Sequence, residues 1–274
     1  MKKPLYLRRF FMIKGIDVSS YQGEIDFEQV KQAGNEFVII RAGWGNSAVN
    51  KDRFFERNYA AAKAAGLFVG AYWYSYADSV SGAFGEAAAC MNVIAGKQFE
   101  LPIFYDVEEP FQFSKGRNFC SELVRNFCNT MQDGGYFTGL YMARFFVQTY
   151  ITREVANAYA LWIAEYGDRL NYSGNYGIWQ YTGSGSVSGV PTIVDKDYCY
   201  INYPEIIKNA GLNGFGEPTS PLKPITEVAL EVIRGDWGNG EERKIRLTEA
   251  GYDYYAVQRE VERILSGENG SSCP

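Results

Sequence analysis

LPIFYDVEEP, residues 101–110, opens on a short apolar run, passes into acids and is closed by Pro110. A run of that length with a proline behind it reads as a buried strand reaching the end of a sheet. Side chains alternate along a strand, so Phe104, Asp106 and Glu108 share one face, and Tyr105, Val107 and Glu109 the other. Asp106 and Glu108 then lie about 7 Å apart at their Cα atoms, aimed into the same space. Two carboxylates that close, at the rim of an apolar body, perturb each other's ionisation. One tends to keep its proton, which suits acid catalysis near neutral pH. A strand that merely runs out into an acidic loop is the competing reading of the same ten residues, and the surrounding chain decides between them.

Working outward, strands and helices alternate. Upstream, Ile13–Ser19 reads as a strand ending near an acid, Asp17. Asp26 is placed to cap a helix that carries Phe27 and Val30 on one face and stops at Gly34. Phe37–Ala42 and the aromatic-rich Phe68–Tyr76 are further strands. Between them a helix sets Phe55, Tyr59 and Ala62 at helical spacing, and a small-residue helix covers roughly 81–95. Downstream, Phe119, Leu123 and Phe127 recur every four residues on a long helix ending at Gly134–Gly135. Strand-like runs follow at 138–143, 160–166, 176–181 and 192–199, the last three with little room for helices between them. Strands alternating with helices imply a mostly parallel sheet. Eight strand candidates in roughly 190 residues predict an α/β fold, an irregular, TIM-like β/α barrel whose late helices are missing. In such a barrel the site lies at the C-terminal strand ends, where Asp17, Asp106, Glu108 and Asp195 are expected.

Composition narrows the chemistry. The 274 residues are 46% hydrophobic and 16% aromatic, enough for one large core and a small second domain. A net charge of −5 argues against nucleic acid as the main partner. No apolar run approaches the ~18 residues of a membrane span, so no membrane insertion is expected. The chain has no histidine, which removes Ser–His and Cys–His nucleophile systems and imidazole-dependent zinc sites. Acid–base work falls to Asp, Glu, Tyr, Lys or Cys, and no metal or cofactor is expected. The five cysteines (Cys90, Cys120, Cys128, Cys199 and Cys273) are irregularly spaced without a CxxC pair, and read as buried thiols of a reducing compartment. The opening MKKPLYLRRFF is basic, but Pro4 and Arg8–Arg9 interrupt any signal-peptide core. Residues 1–12 therefore read as an N-terminal extension, with Met12 an alternative initiator.

The alternation fixes a first domain over 13–210. Residues 211–224, GLNGFGEPTSPLKP, read as a linker. Beyond lie three short helical segments near 225–234, 240–250 and 253–266, each stopped by a glycine. Val228 with Val232, and Val257 with Val261, Ile264 and Leu265, give the outer two an apolar face. A three-helix domain over 225–267 and a disordered tail over 268–274 complete the expected organisation.

These features together resemble glycoside hydrolase family 25, lysozymes that cut between N-acetylmuramic acid and N-acetylglucosamine. The resemblance rests on GIDVSSYQG (15–23), Arg41–Ala42, GAYWYSY (70–76), YDVEEP (105–110), LYMA (140–143), LWIAEYG (161–167), IWQYTGSG (178–185) and VDKDY (194–198). It spans roughly residues 13–203, and Trp73 occupies a position where family members commonly carry His. The resemblance implies Glu108 as proton donor to the leaving sugar oxygen, with Asp106, Asp17 and Asp195 lining the same site. Asp195 matches the family's late VD position better than Asp197. Asp106 is left two roles, direct attack on the sugar or orientation of the substrate's own acetamido group. Tyr74, Tyr141, Trp162 and Tyr166 are candidate sugar platforms, against the commoner fate of strand aromatics as core. Gln180 and Gln22 are placed either to bond sugar hydroxyls or to hold a loop backbone.

Residues 224–261 resemble the choline-independent cell-wall-binding repeat found at the tail of some phage lysozymes, through GDWGNG, RKIRL and AGYDY. That implies wall-binding roles for Asp236, Trp237, Arg243, Arg246, Leu247 and Tyr252, the arginines contacting a muropeptide or else pairing with glutamates on a solvated face. The resulting expectation is a peptidoglycan hydrolase of phage or prophage type. It is held without a signal peptide in the host cytoplasm until lysis, then acts on the wall, as a monomer or as an oligomer assembled through its tail. A chitinase-like N-acetylhexosaminidase and a catalytically inactive wall-binding protein are the alternatives.

Overall fold

A computed structural model describes residues 11–216, 223, 225–250 and 252–266. Most of the expected N-terminal extension, much of the linker, the tail and Cys273 lie outside these residues. Eight strands close into one barrel in chain order: β1 (Ile13–Val18), β2 (Phe37–Trp44), β3 (Phe68–Tyr74), β4 (Ile103–Asp106), β5 (Thr138–Ala143), β6 (Ala160–Ala164), β7 (Ile178–Gly185) and β8 (Val194–Cys199). Around it run α1 (Phe27–Gln32), α2 (Phe55–Ala64), α3 (Val80–Ile94), α4 (Pro110–Ser114), α5 (Arg117–Asp133), α6 (Arg144–Tyr150), α7 (Arg153–Ala158) and α8 (Tyr203–Asn209). Asp26 caps α1 as expected, its Oδ1 accepting from the Gln29 amide at 3.1 Å.

The strand direction departs from the expectation in one place. β1 to β7 pair in parallel, but β8 runs antiparallel to both β7 and β1. Only residues 186–193 join β7 to β8, too few for the crossover of about a dozen residues that a parallel pair needs. The missing late helix and the reversed strand are therefore one fact. It also corrects the placement of Asp195, which sits near the N-terminal end of its strand. Asp195 reaches the mouth because β8 runs backwards, pairing directly with Asp17.

Alternation sends one set of side chains outward to the helices and the other into the barrel. Val38, Ile40, Val69, Ile103 and Tyr105 join the outer core, whereas Phe37, Ile39, Leu101, Phe104, Trp162 and Ile178 fill the lower interior. Gly15 and Gly139 make that filling possible. A Cβ on Gly15 would come within 2.5 Å of the Phe37 ring, and one on Gly139 within 2.6 Å of the Phe104 ring. Trp73 belongs to the outer layer, fully buried, with its indole N–H donating to the Gly45 carbonyl at 2.9 Å.

Residues 211–216, expected to begin the linker, are instead tied to the barrel floor. Asn213 is fully buried, accepts from the Phe137 amide at 2.7 Å and donates to the carbonyls of Phe99 and Leu101 at 3.1 and 2.9 Å. Beyond them α9 (Ile225–Arg234), α10 (Gly240–Glu249) and α11 (Tyr254–Leu265) pack Val228, Ala229, Val232, Leu247, Val257 and Val261 into a small core of their own. Tyr255 of α11 accepts a 2.6 Å hydrogen bond from Asn175, which lies just before β7 on the floor side.

Candidate active site

β4 ends at Asp106, sooner than the sequence suggested. Residues 107–109 continue as an irregular segment, and Pro110 opens α4 with Glu109 as its N-cap. The proline, which lacks an N–H, suits that first helical position. This short segment carries Glu108 out to the mouth, while Asp106 remains below it, only 4% exposed. Gln112 fastens the segment from behind. Its Oε1 accepts from the Glu109 amide at 3.3 Å, and its Nε2 donates to the Ser75 hydroxyl at 2.8 Å and the Ala77 carbonyl at 3.0 Å. Beneath it, the Tyr105 hydroxyl donates to the buried Glu86, so the outward-facing side of β4 is pinned as firmly as the inward one.

The mouth gathers acids from three strands. Asp17 and Asp195 are direct ladder partners across β1 and β8, and Asp106 pairs with Tyr74 on one side and Tyr141 on the other. Burial is the main force on each of these carboxyls and raises all of them above the ordinary carboxylate range. Glu108 is open to solvent, yet the surrounding wall strips enough water from its carboxyl, with Asp195 and Glu109 adding repulsion, to hold its proton more tightly. For Asp106 the repulsion comes from Glu108 and Asp17, and Arg41 offsets part of it. Arg41 is itself held by the buried Asp52 at 2.7 Å and by Ser20 at 3.1 Å. One oxygen of Asp106 is buried without a hydrogen-bond partner among the described residues.

The candidate sugar-contacting residues fall into two groups. Tyr141, Trp162 and Gln180 are buried in the barrel interior and linked to the acids. The Tyr141 hydroxyl donates to Gln180 Oε1 at 2.9 Å, Gln180 Nε2 donates to Asp17 Oδ2 at 2.9 Å, and Trp162 Nε1 donates to Asp197 Oδ1 at 2.8 Å. Tyr166 and Tyr74 lie nearer the surface. Tyr166 is 62% exposed while its hydroxyl reaches Gln180 at 3.3 Å, and the Tyr74 hydroxyl donates to Glu109 at 2.8 Å. Gln22 is occupied locally, accepting from the Ser19 amide and donating to the Ile193 carbonyl. Beside Tyr74, whose ring lies 5.1 Å from that of Tyr76, a polar pocket opens between Trp44, Asn46, Asn50, Tyr76 and Asp78.

Two participants, Glu109 and Asp52, escaped the sequence reading, and a third, Asp197, was set behind Asp195. Asp197 is fully buried at the centre of the acid group. Its place two residues after Asp195, on the same strand face, was the available signal. Glu109, assigned to the far face of a strand, bonds to Tyr74 because the strand ends before it. Asp52, which anchors Arg41, sits in a loop and carried no pattern.

In the helical domain, Leu247 is core, and Trp237 and Tyr252 pack edge to face at 5.8 Å against it. Arg246 lies over the Trp237 ring at 5.9 Å. Arg243 donates to the Gly238 carbonyl at 3.0 Å and to Asn239 at 2.9 Å, and Asp236 pairs with Arg234 at 3.1 Å.

Comparison with known proteins agrees with this architecture. The family described as glycosyl hydrolases family 25 matches residues 16–190, and the CW_7 repeat matches residues 226–265. The autolytic lysozyme of Clostridium acetobutylicum is 34% identical over 186 residues, covering 68% of this chain and 55% of that protein. The chain thus spans little more than half the length of that relative. The modular autolysin LytC of Streptococcus pneumoniae superposes with a TM-score of 0.62 at 26% identity, over 69% of this chain and 47% of that one. The CTP1L endolysin superposes with a TM-score of 0.64 at 20% identity, over 92% of this chain and 99% of that one, a likeness of fold.

Proposed function

The chain belongs to glycosyl hydrolases family 25, and on that premise we propose that it hydrolyses the β-1,4 bond between N-acetylmuramic acid and N-acetylglucosamine in bacterial peptidoglycan. The observation that carries the proposal is the convergence of Asp17, Asp106, Glu108 and Asp195 on one mouth, with Glu108 the most accessible of the four and its proton held more tightly than usual. Glu108 gives that proton to the bridging oxygen as the bond breaks, and the remaining acids stabilise positive charge growing on the anomeric carbon. The depth of Asp106 and its unpartnered oxygen favour the role of orienting the substrate's acetamido group, since a free acceptor can take the amide N–H. Tyr74, Tyr141, Trp162, Tyr166 and Gln180 then shape the sugar-binding surface, the buried three by holding the acids in place.

The proposal extends to the whole chain. The helical domain binds the wall through the surface around Trp237, Arg243, Arg246 and Tyr252, raising the local concentration of the barrel at its substrate. A phage or prophage endolysin that waits in the host cytoplasm and acts at lysis fits this pairing of a lytic barrel with a wall-binding repeat. The test is mass spectrometry of the products from purified peptidoglycan, comparing wild type with Glu108→Gln. New reducing ends on muramic acid from wild type alone support the proposal. Reducing ends on glucosamine, freed peptides, or equal cleavage by both proteins would overturn it.

A further inference from the structure

At the centre of the acid group, Asp197 has no solvent exposure. Its Oδ1 accepts from the Trp162 indole, and its Oδ2 is buried without a donor among the described residues. Asp197 is the ladder partner of Gly15 on one side and Gln180 on the other, which sets it diagonally beside Asp17, the carboxyl to which Gln180 donates, and the two acid side chains meet there. An ionised carboxylate can only accept hydrogen bonds, so two of them facing each other away from water need a proton between them. Resting on the reading of the mouth given above, we propose that Asp197 is a positioning residue that shares one proton with Asp17, so that this buried pair carries a single negative charge.

The surroundings determine which way the proton leans. Gln180 Oε1 accepts from the Tyr141 and Tyr166 hydroxyls, so its amide nitrogen must face Asp17, to which it donates at 2.9 Å. Each carboxyl thus has one neutral donor, Gln180 for Asp17 and Trp162 for Asp197, and depth decides between them: Asp17 keeps 6% exposure at the mouth while Asp197 is sealed, so the charge rests on Asp17 and the proton with Asp197. Among the described residues, the titratable groups that act on Asp197 or feel it are Asp17 on β1, Asp195 and Cys199 on β8, Tyr166 after β6 and Tyr181 on β7. Each is anionic or neutral, so none relieves a second negative charge. Arg41, on the opposite side, is engaged by Asp52 and Ser20. Asp197 therefore acts through Asp17, fixing the position and charge of an acid that faces the mouth.

Asp197→Asn imitates the protonated form, because its amide N–H₂ donates to Asp17 while its oxygen accepts from Trp162. Peptidoglycan cleavage by this variant should stay within about threefold of wild type, whereas Asp197→Ala, which strands both partners, should lose about tenfold or more. Nuclear magnetic resonance titration of carbon-13-labelled aspartate carboxyls, read at neutral pH, should count one protonated aspartate fewer in Asp197→Asn than in wild type. A merely structural role would not move that count. A folded Asp197→Asn variant with about a hundredfold loss of cleavage would overturn the proposal, because it would mean that an ionised Asp197 is required. An unchanged count of protonated carboxyls would overturn it as well. If wild type fails to cleave peptidoglycan, the proposed activity falls, while the titration still reads the pair on its own.

Discussion

The floor and the mouth of the barrel are built by the same eight strands, yet they are opposite materials. At the floor the inward positions hold Phe37, Ile39, Leu101 and Phe104. Towards the mouth, the inward positions of β1, β4 and β7 hold Asp17, Asp106 and Gln180, all buried. The apolar plug below is what makes the acids above unusual. It keeps water from reaching them from beneath, so burial pushes each carboxyl above the ordinary carboxylate range. Protonation of the acids and stability of the barrel are thus two outcomes of one packing arrangement, and changes to either layer separate them.

The largest effect is expected at the mouth. Glu108→Gln should lower peptidoglycan cleavage by about 10³-fold or more with little change in melting temperature, measured by product release and by calorimetry. A change at the floor should do the reverse. Phe104→Ala removes a fully buried ring and should cost about 3–5 kcal/mol in denaturant unfolding. The third test joins the layers. Burial raises Asp106 above its unfolded value, so the folded state holds more protons and its contribution to stability is lost as pH rises through the folded value. Asp106→Asn should therefore stabilise the protein by on the order of 1 kcal/mol, or about 2–4 °C in a chain this size, and by more at pH 8 than at pH 5. A gain that is equal at both pH values, or larger at pH 5, would contradict the desolvated acid. The last effect is expected far from both layers and on intact walls alone. Truncation after Gly216 retains Asn213 and should lower lysis of whole walls by about ten- to a hundredfold, while leaving hydrolysis of soluble glycan fragments unchanged.

Much of this contrast was legible in the sequence. Alternating apolar runs bounded by glycines and prolines locate all eight strands, because burial on both faces of a barrel strand leaves a strong pattern. The acids at 17, 106 and 108 were readable as strand-end residues for the same reason. Strand direction was not readable, since an apolar run looks the same either way, and the reversal of β8 follows only from the length of the connection before it. Depth was equally hidden. Asp195 and Asp197 share a face, and only the closed barrel reveals that one lines the opening and the other is sealed at the centre. Arg41 was noticed as part of a motif, but its anchor Asp52 lies in a loop whose sequence has no periodicity to interpret.

The reversed final strand has a consequence for how the whole chain meets its target. Because β8 descends, its last residue, Cys199, pairs with Ile13 and Ile178 at the barrel's underside, and the polypeptide departs there towards α8 and the helical domain. An ascending strand would have released the chain beside Glu108, with the attached helices crowding the opening. On the proposed reading, the wall-binding helices and the lytic mouth occupy opposite poles, so a long glycan strand can be drawn across the one while the other keeps hold.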